Sequence, residues 1–115
     1  MRLAGMICML LAFATGCVSD RSLYYWGHYE DLIYLSYSQP GKAPAEEQVI
    51  RLEEDFQKAR SLNKKVPPGY HAYLGCLYVE LGKIDQARQE FESEKRNFPE
   101  STVFMNRLQA NLNKP

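Results

Sequence analysis

From Pro68 to Pro99 the chain reads PGYHAYLGCLYVELGKIDQARQEFESEKRNFP, and this stretch decides the fold. Pro67-Pro68 ends whatever precedes it, because proline lacks an amide donor and its ring obstructs the preceding turn. Leu74, Leu77, Tyr78 and Leu81 then recur at spacings of three and four, which predicts a helix over 68–81 with those side chains inward. Gly82 supplies its left-handed stop. A second helix follows at once over 84–97, with Ala87, Glu90, Phe91 and Glu94 on successive turns and Pro99 as its boundary. Ser101 is placed to cap a further helix that turns Val103, Phe104, Leu108 and Leu112 inward. No alternation of apolar and polar residues competes for a strand.

Within that stretch the intervals between Leu74-Gly75, Tyr78, Gly82, Ala87, Phe91 and Pro99 resemble those of a tetratricopeptide repeat, whose period is about 34 residues. The residue types fit the geometry. Gly75 and Ala87 are small where two antiparallel helices approach, Tyr78 and Phe91 fill the space beside them, and Pro99 lets the next helix fold back. His71 stands where Trp is common and Glu94 where Ala is common. A generic helical hairpin gives the same local geometry. One such unit cannot bury its face alone, so its neighbours must cover it.

Upstream lies a strongly striped helix. Pro44 suits a first helical turn and Glu46-Glu47 complement the positive end of the dipole. Ala45, Val49, Leu52, Phe56, Ala59 and Leu62 form one apolar face, opposite a polar one that carries the Glu54–Lys58 pair. Before it, Tyr24 to Tyr37 holds five of the eight tyrosines and the only tryptophan. Trp26, Tyr29, Ile33 and Tyr37 recur at helical spacing, which predicts a helix over 28–38 closed by Gln39-Pro40-Gly41. The expected fold is all-α: about five helices, arranged as tetratricopeptide-like hairpins with a closing helix.

The first residues read differently. Met1-Arg2 is a minimal basic start, Leu3 to Ala14 an uncharged apolar run too short to cross roughly 30 Å of hydrocarbon. It ends in Ala14-Thr15-Gly16-Cys17, which resembles a bacterial lipoprotein signal cut before a cysteine that carries diacylglycerol. The usual residue at the Ala14 position is Leu. An ordinary secretory signal, or a short core helix with an accidental cysteine, are the alternatives. The expected organisation is a signal peptide over 1–16, a lipidated tether over 17–23 with the lipid on Cys17, and a helical domain over 24–115. Cys76 is then the one free thiol. Val18 after the acylated position favours, by resemblance to the sorting rule of Gram-negative lipoproteins, an outer-membrane anchor facing the periplasm. Two or three acyl chains at about 0.8 kcal/mol per methylene hold essentially permanently.

Composition narrows the functions. The 115 residues carry 14 Lys+Arg against 14 Asp+Glu, with 45% apolar residues and three cysteines. Balanced charge gives no electrostatic footprint for nucleic acid. The apolar content is too high for wholesale disorder and the cysteines too few for a disulfide scaffold. Over the length that follows Cys17, the chain resembles a family of small tetratricopeptide-like bacterial lipoproteins of unknown function. The resemblance rests on Leu23-Tyr24-Tyr25-Trp26-Gly27-His28-Tyr29-Glu30, Leu52-Glu53-Glu54-Asp55, Lys65-Val66-Pro67-Pro68-Gly69, Leu74-Gly75, and Phe98-Pro99-Glu100-Ser101 followed by Phe104-Met105. It implies co-assembly at the envelope with a curli-secretion-channel-like lipoprotein and brings no catalytic residues.

The residues offer little chemistry of their own. His28, His71 and Cys76 are too few and too far apart for a metal site, and no cofactor motif appears. Ser61-Leu62-Asn63-Lys64 matches Ser-x-x-Lys formally, but lacks the Lys-Thr-Gly partner and the scaffold that chemistry needs. Glu53-Glu54-Asp55 and Glu90, Glu92, Glu94 read as solvated helix faces. Surface remains. The repeat resemblance places Ala72, Cys76 and Val79 on the floor of a groove with Gly69 at its mouth, suited to an inserted helix or peptide unless the aromatic helix fills it. Tyr24, Tyr25 and Tyr34 are expected to meet a partner or the membrane interface, since one helix cannot bury tyrosines on every face. The expectation is a non-enzymatic outer-membrane lipoprotein that acts as a periplasmic protein-interaction adaptor. Activation of a peptidoglycan synthase is the alternative, and an envelope enzyme ranks behind both.

Overall fold

Leu74, Leu77 and Tyr78 do turn inward, and they belong to the third of five α-helices in a computed structural model that describes residues 22–114. The chain is all-α. The helices are α1 (Tyr29–Ser38), α2 (Ala45–Ser61), α3 (Tyr70–Glu80), α4 (Ile84–Asn97) and α5 (Thr102–Leu112), with a 3-10 turn over Pro99–Ser101. Among the described residues the nearest approach to a sheet is a single parallel bridge between Tyr24 and Lys65. The expected signal over 1–16 and the lipid site at Cys17 lie outside the described residues.

The closest helix pair is α3 and α4, and glycine makes it so. A Cβ on Gly75 would stand 2.5 Å from the Phe91 ring, so Phe91 lies directly against the α3 backbone. Ala87, Phe91, Leu74 and Leu77 fill the seam. The three-residue turn between the helices contains Gly82 at φ 72°, a left-handed position that costs glycine nothing.

On the other side of α3, Tyr70 and Leu52 are fully buried, and the Tyr70 hydroxyl donates to the Leu52 carbonyl of α2. Tyr78 donates to Glu53 at 2.7 Å and Tyr73 to Gln48 at 2.5 Å. The α2–α3 seam is therefore built from tyrosines whose rings pack and whose hydroxyls reach polar groups on α2. Gln48 in turn donates to the Ala43 carbonyl at 2.7 Å, holding the connection before α2.

Two buried carboxylates set the helix starts. Glu94 of α4 is 3% exposed and accepts from the amides of Gly69 (2.7 Å) and Ala72 (3.3 Å) at the N-terminus of α3. Asp55 of α2 is 4% exposed and accepts from the His28 amide (2.7 Å) at the N-terminus of α1, with the His28 ring Nδ1 at 2.9 Å. Neither α1 nor α3 has a side-chain cap of its own. Each leaves amides that lack partners within the helix, and a carboxylate from elsewhere in the fold supplies them. Asp55 and Glu94 hold the same position, the eleventh residue of their helices. Neither is a solvated charge as expected: each is buried because a distant helix start brings it donors.

One expected face needs correction, that of α5, and α1 turns inward a set that spacing did not assign. In α1 the inward residues are Tyr29, Leu32 and Ser36, while Tyr37 is 84% exposed. The space under α1 is lined by the Tyr73 hydroxyl and Gln48, so position 36 takes a serine 2.8 Å from that hydroxyl. In α5 the buried residue is Met105, with Leu108 and Leu112 beside it, while Val103 and Phe104 are 69% and 59% exposed. Ser101 spends its hydroxyl on the Phe98 carbonyl at 2.7 Å, within the 3-10 turn, and does not cap α5. Starting from Thr102, the inward stripe falls on 105, 108 and 112. Leu62, expected inward, follows α2 and is exposed.

Glu94→Ala strips the partner from two α3 amides and should destabilise the fold by about 2 kcal/mol in urea unfolding, with Asp55→Ala costing a similar order. Glu94→Gln, which retains an acceptor, should lose less. Burial pushes the hydroxyls of Tyr70 and Tyr78 well above the ordinary tyrosine value of 10, with Glu53 adding to both. Protons are then held more tightly in the folded chain. This contribution is intact below pH 10 and is lost as pH rises further. The melting temperature should fall steeply above pH 10, and Tyr78→Phe should flatten that slope in a thermal scan across pH.

Candidate interaction surfaces

The N-terminal segment begins the site. Tyr25 donates its amide to the Lys65 carbonyl at 2.8 Å, and Lys64 Nζ reaches the Ser22 hydroxyl at 2.9 Å. This pins residues 22–25 alongside the α2–α3 connection. Tyr24 then packs edge-on against Phe98 (ring centres 6.1 Å apart) and against Trp26 (6.4 Å). From Trp26 the contacts continue to Tyr29, and from Tyr29 to both Tyr70 and Tyr73 in the core. Gly27, at φ 49°, lets the chain turn into α1, where any Cβ would collide with the Asp55 carboxylate.

The expected aromatic contacts divide. Tyr24 and Tyr25 are half-buried, and Tyr25 packs against the core cluster. Tyr34 is exposed on α1. The structure does not bring the three tyrosines together on one face. Spacing alone did not single out Trp26 or Tyr37 as surface residues, because it marks a helix without saying which of its faces is covered. Both are exposed, as are Leu23 on the N-terminal segment and Val103 and Phe104 on α5.

Cys76 and Val79 meet Leu108, Asn111 and Leu112 of α5 around an apolar groove of about 170 Å³, with Phe91 at its base. Ala72 is not among its walls, although it packs against the core. It sits at the start of α3, where its amide is taken by Glu94. Gly69 is likewise held by Glu94, and a Cβ there would meet the Tyr29 hydroxyl. The two ends of the expected groove floor thus have different neighbours. Towards α1, Tyr73 is covered by Tyr29 and Ser36. Towards α5, Cys76 and Val79 remain accessible along the groove.

His71 is buried, its Nδ1 2.6 Å from Glu90 Oε2 and its ring edge-on to Phe56 and Tyr70. That is a packing role, and it holds α3 to α4. Among the described residues no cluster of His, Cys, Asp and Glu is arranged to hold a metal ion. A second cavity, of about 370 Å³, opens beside this pair and is lined by Phe56, Lys64, Lys65, Val66, Ser93 and Arg96. No helix of the described residues is long and apolar enough to cross a membrane.

Cys76 is exposed at the groove, yet the apolar walls desolvate its thiol and push its pKa above the ordinary value of 9.0. Alkylation by iodoacetamide at pH 7.5 should therefore run several-fold slower than for an unfolded control, and a groove occupant should slow it further. Mass spectrometry of timed samples reads both.

Comparison with known proteins gives one result. Residues 23–108 match the model of a domain of unknown function, DUF4810. No curated protein and no solved structure matches the chain significantly.

Proposed function

The chain belongs to the DUF4810 family, and on that footing we propose that it is a membrane-tethered helical module whose work is to bind another protein of the cell envelope. The observation that carries this reading is the distribution of apolar side chains. Tyr34, Tyr37, Val103 and Phe104 are all large, all exposed, and all mounted on helices whose other faces are locked into the core. Scattered single residues of this kind need no explanation. Exposed aromatic residues on rigid helices, together with the apolar groove between α3 and α5, have the composition of protein-binding surfaces.

The finer reading is a tetratricopeptide-like one. Gly75 beneath Phe91, fully buried Ala87 and the Gly82 turn are the packing that such a repeat uses, and they support it. In that reading α1 and α2 form a degenerate first unit and α5 is a closing helix. The anchor belongs to the same proposal. A lipid on Cys17, after removal of residues 1–16, places the module on the periplasmic side of the outer membrane, where its partner is an envelope protein. The resemblance drawn from the sequence favours a curli-secretion-channel-like lipoprotein.

Two measurements test the parts separately. Metabolic labelling with radioactive palmitate should mark the chain, and Cys17→Ala should abolish the mark; an unlabelled chain removes the anchor. A photo-crosslinker placed at Tyr34, Tyr37 or Phe104 in intact cells should capture one discrete envelope protein from at least one position. Tyr37→Ala combined with Phe104→Ala should reduce capture from the third position by tenfold or more without lowering stability. Unchanged capture removes the interaction surface.

A further inference from the structure

We propose that the end of the molecule carrying the α2–α3 connection docks onto anionic phospholipid headgroups through Arg60, Lys65 and Arg96, with Leu23 and Trp26 entering the interface beside them. The inference rests on the tethered reading above and says which way the body lies on its membrane.

Three observations converge on this end. First, the basic groups are gathered there. Lys64, Lys65 and Arg96 line the same open cavity, and Arg60 lies over the ring of Phe56, another of its walls, at 6.0 Å. Arg60, Lys65 and Arg96 are exposed, and none of the ion pairs among the described residues involves them. Of the carboxylates on the same helix as Arg96, Glu90 is bonded to His71, Glu92 is paired with Lys95 and Glu94 is bonded to the Gly69 amide. In a chain with zero net charge such a local surplus is a distribution, not a total.

Second, the apolar groups at the same end are of the interfacial kind. Leu23 and Trp26 are 71% and 42% exposed. They flank Tyr24, which is bridged to Lys65. Tryptophan beside lysine and arginine is the pairing found at the boundary between headgroups and acyl chains.

Third, the chain leads there. Ser22 is fastened to Lys64, and Cys17 is five residues upstream. Five residues span at most about 17 Å when fully extended. A lipid on Cys17 therefore keeps the basic end within reach of the headgroups, and the short leash makes their local concentration high. The exposed Tyr37 lies near the far end of α1, about 12 Å from its start, so docking leaves that surface turned towards the periplasm.

The test is amine footprinting of the purified full-length chain on vesicles. It is mixed with phosphatidylcholine vesicles or with phosphatidylcholine–phosphatidylglycerol vesicles and labelled by a water-soluble lysine acylating reagent. Lys42 and Lys83, beyond the far ends of α1 and α3, are the internal references. Lys65 labelling should fall about threefold or more on the anionic vesicles relative to the neutral ones, and high salt should restore it. Arg96→Glu, a change at an exposed side chain, should erase the difference, and so should Arg60→Glu. Equal Lys65 labelling on both vesicle types, or protection that survives Arg96→Glu and Arg60→Glu together, overturns the proposal. Intact mass of the same sample reports the acyl group on Cys17 separately, so a missing anchor and a missing docking face give different results.

Discussion

Glu94 holds this fold in register. Its side chain leaves α4, crosses the seam at the end where α3 begins, and takes two amides that α3 cannot satisfy within itself. The arrangement makes the start of one helix a property of another. A buried carboxylate is costly unless its lone pairs are engaged, and unpaired helix amides are costly unless something accepts from them. Each solves the other's problem, and both are satisfied only when α3 and α4 are correctly placed. Asp55 does the same for α1, drawing on His28 as well as on its amide. Among the described residues no buried side-chain polar atom lacks a partner, which is what such reciprocal contacts predict.

The tyrosines extend this logic across the α2–α3 seam. Phenylalanines would fill nearly the same volume there, but they would leave the Leu52 carbonyl, Glu53 and Gln48 without the donors that Tyr70, Tyr78 and Tyr73 bring. The seam is consequently apolar in bulk and polar at chosen points, a pattern that fixes one alignment of the helices rather than several. The polar pocket beneath α1 belongs to it. It explains why a helix so rich in aromatics turns a serine towards the core and leaves Tyr34 and Tyr37 outside.

Much of the fold was legible in the sequence because its helices are bounded by strong local signals. The span expected over 84–97 is the observed α4, since Gly82 before it and Pro99 after it act on the backbone regardless of context. The α2 stripe was legible too, apart from Leu62, which falls beyond the helix end, and Gln48 and Asp55, whose burial depends on groups far away in sequence. Faces were harder than spans. In α5 the 3-10 turn at Pro99 moved the stripe onto Met105, and nothing local announces which of two adjacent apolar sets will face inward. Of the candidate surface, Tyr34 and Cys76 were legible as accessible residues. The basic cavity was not, because Lys65 of the α2–α3 connection and Arg96 of α4 come together only in the folded bundle.

The bridge between Tyr24 and Lys65 has a mechanical meaning. Tension applied through the N-terminal segment does not fall on the first turn of α1. It is delivered through the Tyr25–Lys65 hydrogen bond into the middle of the chain, where Val66 and Pro67 are buried. A pull on this segment thus loads the buried connection between α2 and α3 before it reaches α1.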